Sequence, residues 1–374
     1  MRQYLLGFLL AVCGASVYAE AGVTDKTIVI GQSISLDQGK NAYGVAALQG
    51  IKIYFDKANA EGGVNGRKLM LRTLDDENKA PNAATNARQL IADGAFILFG
   101  SIEGGPSTAV AEVATQAKVP FFGPMAGAPT LRRPYQPYVF PVRAEHRDEF
   151  RALLNWGKTT GMKTVGFLRS DTTVGATHVE NVSQIAGELG MKVVLDLPFK
   201  GDVSDTQIAA WVKAIGDSKP DMMLNHGSSG VYQRLVTQAR SGNLTTTFMG
   251  VNSGSTQIAA QLGPLAHGMV FAQVVPNPRD QRQPIVREFL ETTRKTKPTG
   301  DSSYGELEGY LTAKALVLAL RASGTALTRE GFIRTLETSR FDLGGYPVRW
   351  KSGDHEGSRF VDLSIVGKNG RFIE

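Results

Sequence analysis

Residues 96–124, FILFGSIEGGPSTAVAEVATQAKVPFFGP, constrain the fold more than any other stretch of the chain. Phe96, Ile97, Leu98 and Phe99 form a short run that is apolar on both faces, which suits a strand inside a parallel sheet with helices above and below. The run stops at Gly100, and Glu103-Gly104-Gly105-Pro106-Ser107 then lets the backbone turn close to anything at the strand's carboxyl end. Pro106 and Ser107 suit the first turn or cap of a following helix. That helix directs free N–H groups and a positive dipole end at the same spot, so a carboxylate or carbonyl is held there without a cationic side chain. Open α/β sheets bind ligands at the carboxyl ends of their strands, which makes this turn the first candidate site.

The same layout recurs. QLIADGAFILFGSIEGG (89–105) and KAIGDSKPDMMLNHGSSG (213–230) share a helix end, an acidic break, a short apolar strand and a small-residue turn. Around the first, the pattern predicts strands at 27–31 and 68–74 and helices at 44–61 and 81–93. Around the second it predicts strands at 163–169, 191–197 and 221–224 and helices at 175–189 and 204–216. Beyond 247–250 a strand at 269–275 follows, then helices at 284–296, 305–322 and 328–337, and strands at 346–350, 359–366 and 371–373. Two βαβαβ lobes of similar design, facing each other across a cleft, are expected. The length of 374 residues agrees, since a single core rarely exceeds about 250–300 residues. The 42 glycines are dispersed rather than repetitive, as many short βα turns require.

Lys and Arg outnumber Asp and Glu by 41 to 35, giving a net charge of +6, but no basic block or aromatic-basic stripe accompanies the excess. Nucleic-acid binding is therefore not expected. Arg2, the apolar residues 5–12 and the small residues Val17 and Ala19 read as an export leader at 1–19, cleaved near Ala19 and too short to span a bilayer. Cys13, the only cysteine, lies inside it, behind a Val12 too bulky for a lipid-anchoring signal. The mature chain then has neither disulfides nor thiol chemistry.

No G-x-G-x-x-G, Walker A, G-x-S-x-G, H-E-x-x-H or C-x-x-C pattern occurs, so no enzyme activity and no cofactor are expected. The histidines at 146, 178, 226, 267 and 355 show no metal-ligand spacing and read as surface or capping residues. His226 is weighed between ligand contact and structure, because its turn faces the expected cleft. Asp75-Asp76-Glu77 reads as a solvated loop, with Asn78 or Asn82 capping the next helix. Asp354-His355-Glu356 reads as a hydrophilic turn.

LQGIKIYFDKANAEGGVNGRKLML (48–71), FFGPMAGAPTLRRPYQPYVFPVRA (121–144), AQVVPNP (272–278), LEGYLTAKALVLALRASG (307–324), FDLGGYPVRW (341–350) and DHEGSRFVDLSIVGKNGRF (354–372) carry a family resemblance in their order and spacing. Over about residues 23–374 the chain resembles the periplasmic substrate-binding proteins of branched-chain amino-acid ABC transporters. The resemblance implies a type I periplasmic binding protein fold: two Rossmann-like, doubly wound α/β lobes joined by three hinge crossovers. One lobe takes 23–142 and 274–353, the other 143–273 and 354–374. It also implies a periplasmic monomer that closes on a small ligand, an amino acid or a related carboxylate or amide, and delivers it to membrane permease subunits. The alternative is a sensor presenting the ligand to a membrane receptor.

The family's binding positions map onto Tyr43, followed by Gly44; onto Gly104 or Gly105, where only backbone donation remains; and onto Ala126 and Gly127, again without a hydroxyl. In the second lobe they map onto Thr173 and Val174, onto Ser228 or Ser229, and onto Asn252, where the family's ammonium-pairing acid falls. An amide cannot neutralise a buried cation. A carboxylate or polar neutral ligand is therefore expected, unless Glu103 supplies the charge.

Overall fold

The computed structural model describes residues 20–201, 203–296 and 302–373. The leader read at 1–19 lies outside them. β1 (Thr27–Ile34) buries Ile28, Ile30 and Ile34, and α1 (Ala42–Ala60) follows once the Asn41 side chain accepts from Gly44 N at 3.1 Å. β2 (Lys68–Asp75), α2 (Ala80–Ala92), β3 (Ile97–Phe99), α3 (Gly104–Ala117), β4 (Phe121–Phe122) and β5 (Val139–Phe140) complete a parallel sheet in the order β2-β1-β3-β4-β5. Every side chain of β3 is buried, as its two apolar faces predict.

α4 (His146–Thr159), β6 (Thr164–Ser170), α5 (Thr173–Glu188), β7 (Lys192–Phe199), α6 (Asp205–Ser218), β8 (Met222–His226), α7 (Ser229–Ser241), β9 (Thr247–Gly250), α8 (Ser255–Leu262) and β10 (Val270–Gln273) build the second sheet. Its parallel strands lie in the order β7-β6-β8-β9-β10, the order of the first sheet repeated. β3 and β8, the two strands of the internal echo, occupy the same place in each.

α9 (Pro284–Thr296), α10 (Tyr304–Ala322) and α11 (Arg329–Thr338) lead into a small antiparallel sheet of β11 (Arg340–Asp342), β12 (Pro347–Lys351) and β13 (Asp354–Gly357). Trp350 of β12 is fully buried against Phe122 and Phe140, and its Nε1 donates to Pro141 O at 2.7 Å, which fixes this sheet to the first lobe. β14 (Asp362–Ile365) then joins the edge of the second sheet, antiparallel to β10. The chain thus passes between the sheets three times, after β5, after β10 and after β13.

α10 is buried along most of its length and lies directly on α1. A Cβ at Gly50 would sit 1.9 Å from Glu306 O, and one at Gly309 would sit 2.0 Å from Ala47 O, so only glycine permits this approach of two backbones. The contact brings Tyr43 of α1 beside Glu308 of α10.

Two polar stretches differ from expectation. Asp76 is buried rather than solvated and accepts from Ser33 Oγ at 3.0 Å and Ser35 Oγ at 2.5 Å, while Asp75 accepts from the backbone N–H groups of Leu36, Asp37, Gln38 and Glu77. Together they tie the end of β2 to the end of β1. Neither Asn78 nor Asn82 caps α2, whose N-cap is Lys79 with Pro81 in the first turn. Asp354-His355-Glu356 lies in β13 rather than in a turn. His355 is buried there, with Nδ1 3.0 Å from Val139 O and Nε2 3.1 Å from both Tyr135 Oη and Glu337 Oε1.

Candidate functional site

The carboxyl ends of the two sheets meet. A Cβ built on Gly104, at the start of α3, would lie 3.7 Å from Val174 of α5. The backbone N–H of His146 donates to Gly127 O at 3.0 Å, and Tyr304 N donates to Thr256 Oγ1 at 3.3 Å.

At the centre of this junction is a buried charged network. Tyr43 Oη donates to Glu308 Oε2 at 2.9 Å and lies 3.4 Å from Met125 O. Asn252, just after β9, donates from Nδ2 to the same Glu308 oxygen at 2.5 Å and from its backbone N–H to Glu149 Oε2 at 2.7 Å. Arg143, in the first crossing, pairs through Nη2 with Glu149 and places Nη1 3.7 Å from Glu308 Oε1. Arg132 Nη2 donates to the carbonyl of Arg143 at 2.8 Å.

Burial raises the carboxyls of Glu149 and Glu308 against the opposing pull of Arg143. Burial alone would lower Arg143, but Glu149 and Glu308 outweigh it and hold the guanidinium charged. Arg132, with weaker support, is pushed down to about 10 by burial. Tyr43 is raised well above its usual range, first by burial and then by Glu308. Glu308 Oε1, Asn252 Oδ1, Arg143 Nη1 and two nitrogens of Arg132 are buried without a hydrogen-bond partner. Acceptors and cationic donors thus face one another with capacity unused.

Of the residues expected at the site, Tyr43 and Asn252 converge on Glu308. Gly104 and Val174 face one another across the junction. Ala126 is buried, and Gly127 abuts His146, where an added Cβ would lie 2.6 Å from His146 N, so no hydroxyl-bearing residue fits. Glu103 is half-buried at the N-cap of α3 with φ +64. Its carboxyl is raised by burial, opposed by a hydrogen bond with Asn41, and it adds to the shift of Tyr43 without a hydrogen bond to the Arg143 network. Gly105, Thr173 and Ser228 are exposed, Ser228 as the N-cap of α7 without a side-chain hydrogen bond. Arg143, Glu149 and Glu308 are not among the expected residues. The only trace of Glu308 in the sequence is that it is one of two acids, with Glu306, at the start of the long apolar run of α10.

Three histidines also depart from the surface or capping role expected of them. His146, His178 and His226 come together with ring centroids 4.4 Å (146 to 226), 4.0 Å (178 to 226) and 5.3 Å (146 to 178) apart. The parallel topology collects them from separate βα units, so no motif spacing announces them.

A family model of periplasmic binding proteins matches residues 19–371. The chain belongs to that family. It is 22% identical over 331 residues to a Leu/Ile/Val-binding protein homolog 7 of Brucella suis biovar 1 (strain 1330), covering 83% of this chain and 81% of the relative. Among solved structures, an extracellular ligand-binding receptor from Verminephrobacter eiseniae superposes with TM-score 0.83 at 25% identity, covering 93% of this chain and 100% of that one. A solute-binding protein of an ABC transporter from R. palustris, in complex with benzoate, superposes with TM-score 0.80 at 19% identity, covering 93% and 95%. This periplasmic binding protein therefore has the two-lobed type I fold and stands among substrate-binding proteins rather than enzymes.

Proposed function

We propose that this periplasmic binding protein is the solute-capturing subunit of an ABC importer, taking an amino acid or a related small carboxylate or amide between its lobes and passing it to the permease. The observation that carries the reading is the juxtaposition of Glu308 Oε1, Asn252 Oδ1 and Arg143 Nη1 at the meeting of the two sheets, each buried without a hydrogen-bond partner and the first and last held only as a loose ion pair at 3.7 Å. A solute bearing both an ammonium or amide donor and a carboxylate supplies the opposite group to each. Asn252 cannot neutralise an ammonium, but Glu308 beside it is a carboxylate, so an amino acid regains a place in the reading without help from Glu103.

The lobes in this reading are 23–142 with 274–353, and 143–273 with 354–374. The solute settles on one lobe, and the interactions that the other lobe adds on closing favour the closed form, because only those interactions shift the hinge equilibrium. Gly104, Val174 and Gly127 form the backbone-rich rim. The leader at 1–19 provides export to the periplasm, and the protein acts as a monomer. The benzoate held by the R. palustris protein supports a carboxylate in this fold.

The test uses the chain lacking residues 1–19, screened by thermal shift against amino acids, aromatic acids, dicarboxylates and amides, with calorimetry and X-ray scattering on any hit. One class is expected to stabilise the protein, by about 2.7 kcal/mol at a hundredfold excess over Kd, and to compact it. Stabilisation by none of them, or binding without compaction, overturns the reading.

A further inference from the structure

We propose that His146, His178 and His226 hold one divalent transition-metal ion of the zinc class at the strand ends of the second lobe. The proposal does not rest on the solute reading. The three side chains come from separate elements: the first residue of α4, the second turn of α5 and the last residue of β8. One nitrogen of each lies within 4.8 Å of the others. Small ring rotations bring them to the spacing of roughly 3.3 Å that tetrahedral bonds of about 2.0–2.1 Å require.

Two further observations point to an ion. Both ring nitrogens of His178, a fully buried residue, and Nδ1 of His226 have no hydrogen-bond partner. Buried polar atoms are almost always satisfied, and imidazoles turned toward one another with idle nitrogens offer lone pairs to a common centre. The third histidine is already oriented. His146 Nδ1 lies 2.8 Å from Glu149 Oε1, the carboxylate–imidazole arrangement that fixes a ring and leaves Nε2 for a metal. Phe150 walls the cluster, with its ring 5.4 Å from that of His178 and 6.1 Å from that of His226.

Three imidazoles without thiolate or carboxylate in the inner set suit Zn²⁺, Cu²⁺ or Ni²⁺ rather than Ca²⁺ or Mg²⁺. Three protein ligands also leave a fourth position open.

The test is titration of the chelator-treated mature chain with Zn²⁺, with no solute added, by calorimetry and by competition with a chromogenic chelator. Co²⁺ serves as a visible-spectrum probe of coordination. One ion per chain is expected, with an intense, low-coordinate Co²⁺ spectrum. Glu149→Gln is expected to weaken Zn²⁺ binding roughly 10–100-fold, the usual cost of losing an orienting partner, and His178→Gln or His226→Gln to weaken it further. His267→Gln, on the surface away from the cluster, leaves binding unchanged. Failure to bind Zn²⁺, binding retained in the doubly substituted His178→Gln/His226→Gln chain, or a Co²⁺ spectrum like that of the hydrated ion overturns the proposal. The Co²⁺ spectrum needs no variant, so a variant that misfolds does not shield the proposal, and none of these outcomes alters the solute screen.

Discussion

Asn252 Nδ2 donates to Glu308 Oε2 across 2.5 Å, joining the loop after β9 in the second lobe to α10 on the first. The same oxygen also receives Tyr43 Oη. Glu308 is thus read from both lobes at once, and its second oxygen stands 3.7 Å from Arg143 Nη1. Glu308→Gln keeps the shape and removes the charge. It is expected to weaken solute binding by at least about tenfold, or about 1.4 kcal/mol, measured by calorimetry with the solute identified in the screen. An unchanged Kd removes Glu308 from the site.

Arg143→Met leaves Glu149, which is wholly inaccessible to solvent, without its counter-charge. Breaking a buried pair from one side costs about 3–5 kcal/mol, whereas removing both charges with apolar groups of similar size costs far less. Urea unfolding is therefore expected to show a large loss for Arg143→Met and recovery of most of it in Arg143→Met/Glu149→Leu. Additive losses in the double variant contradict the coupling.

Gly309→Ala forces the backbones of α1 and α10 apart and is expected to cost more than about 1–3 kcal/mol, the usual range for overpacking. Gly105→Ala, at an α3 position where a Cβ meets nothing, is expected to be neutral or to stabilise by about 0.5–1 kcal/mol. Thermal unfolding of the two variants checks the contrast, and equal effects would refute the seam between α1 and α10.

Asp221 accepts from Lys163 N at 2.8 Å, Thr164 N at 2.9 Å and Thr164 Oγ1 at 2.8 Å, and these donors, Lys163 N foremost, hold its carboxyl below the usual carboxylate range. The unfolded chain binds the proton more readily than the folded one, so this contribution is present above the ordinary carboxylate pKa and is lost as pH falls through the lowered one. Asp221 is exposed, so the effect is small, about 1 kcal/mol after solvent screening. Comparing urea unfolding of wild type and Asp221→Asn from neutral pH downward is expected to show the difference shrinking with acidity. A difference that stays constant excludes the carboxylate.

What the sequence discloses follows from how local each determinant is. β3, β8 and their small-residue turns are legible because a run of three or four apolar residues stopped by a turn is a local fact, and α9 is legible because Pro284 opens a strongly amphipathic stretch. α4, α7 and α8 are not legible in the same way. In α4 the buried positions include His146 and Glu149, so the apolar period that marks a helix is broken by the very side chains the site uses. Tyr43 and Asn252 can be found through the resemblance, which preserves position. Arg143, Glu149 and Glu308 cannot, because a charged residue reads as solvent-facing until its burial is known: Arg143 and Glu149 are six residues apart but are buried only by the fold, and the partners of Glu308 come from distant parts of the chain. His146, His178 and His226 stand 32 and 48 residues apart in sequence. Such separations are set by whole βα units and match no ligand motif.

The three passages of the chain between the sheets have a mechanical consequence. Two bodies on a single tether can swivel and slide in any direction, but three neighbouring straps suppress twist and translation and leave one soft bending axis. On the proposed hinge reading, each swing inward returns the carboxamide of Asn252 to the same carboxylate in the same alignment. Fidelity of capture, in that reading, is built into the backbone connectivity before any side chain has made contact.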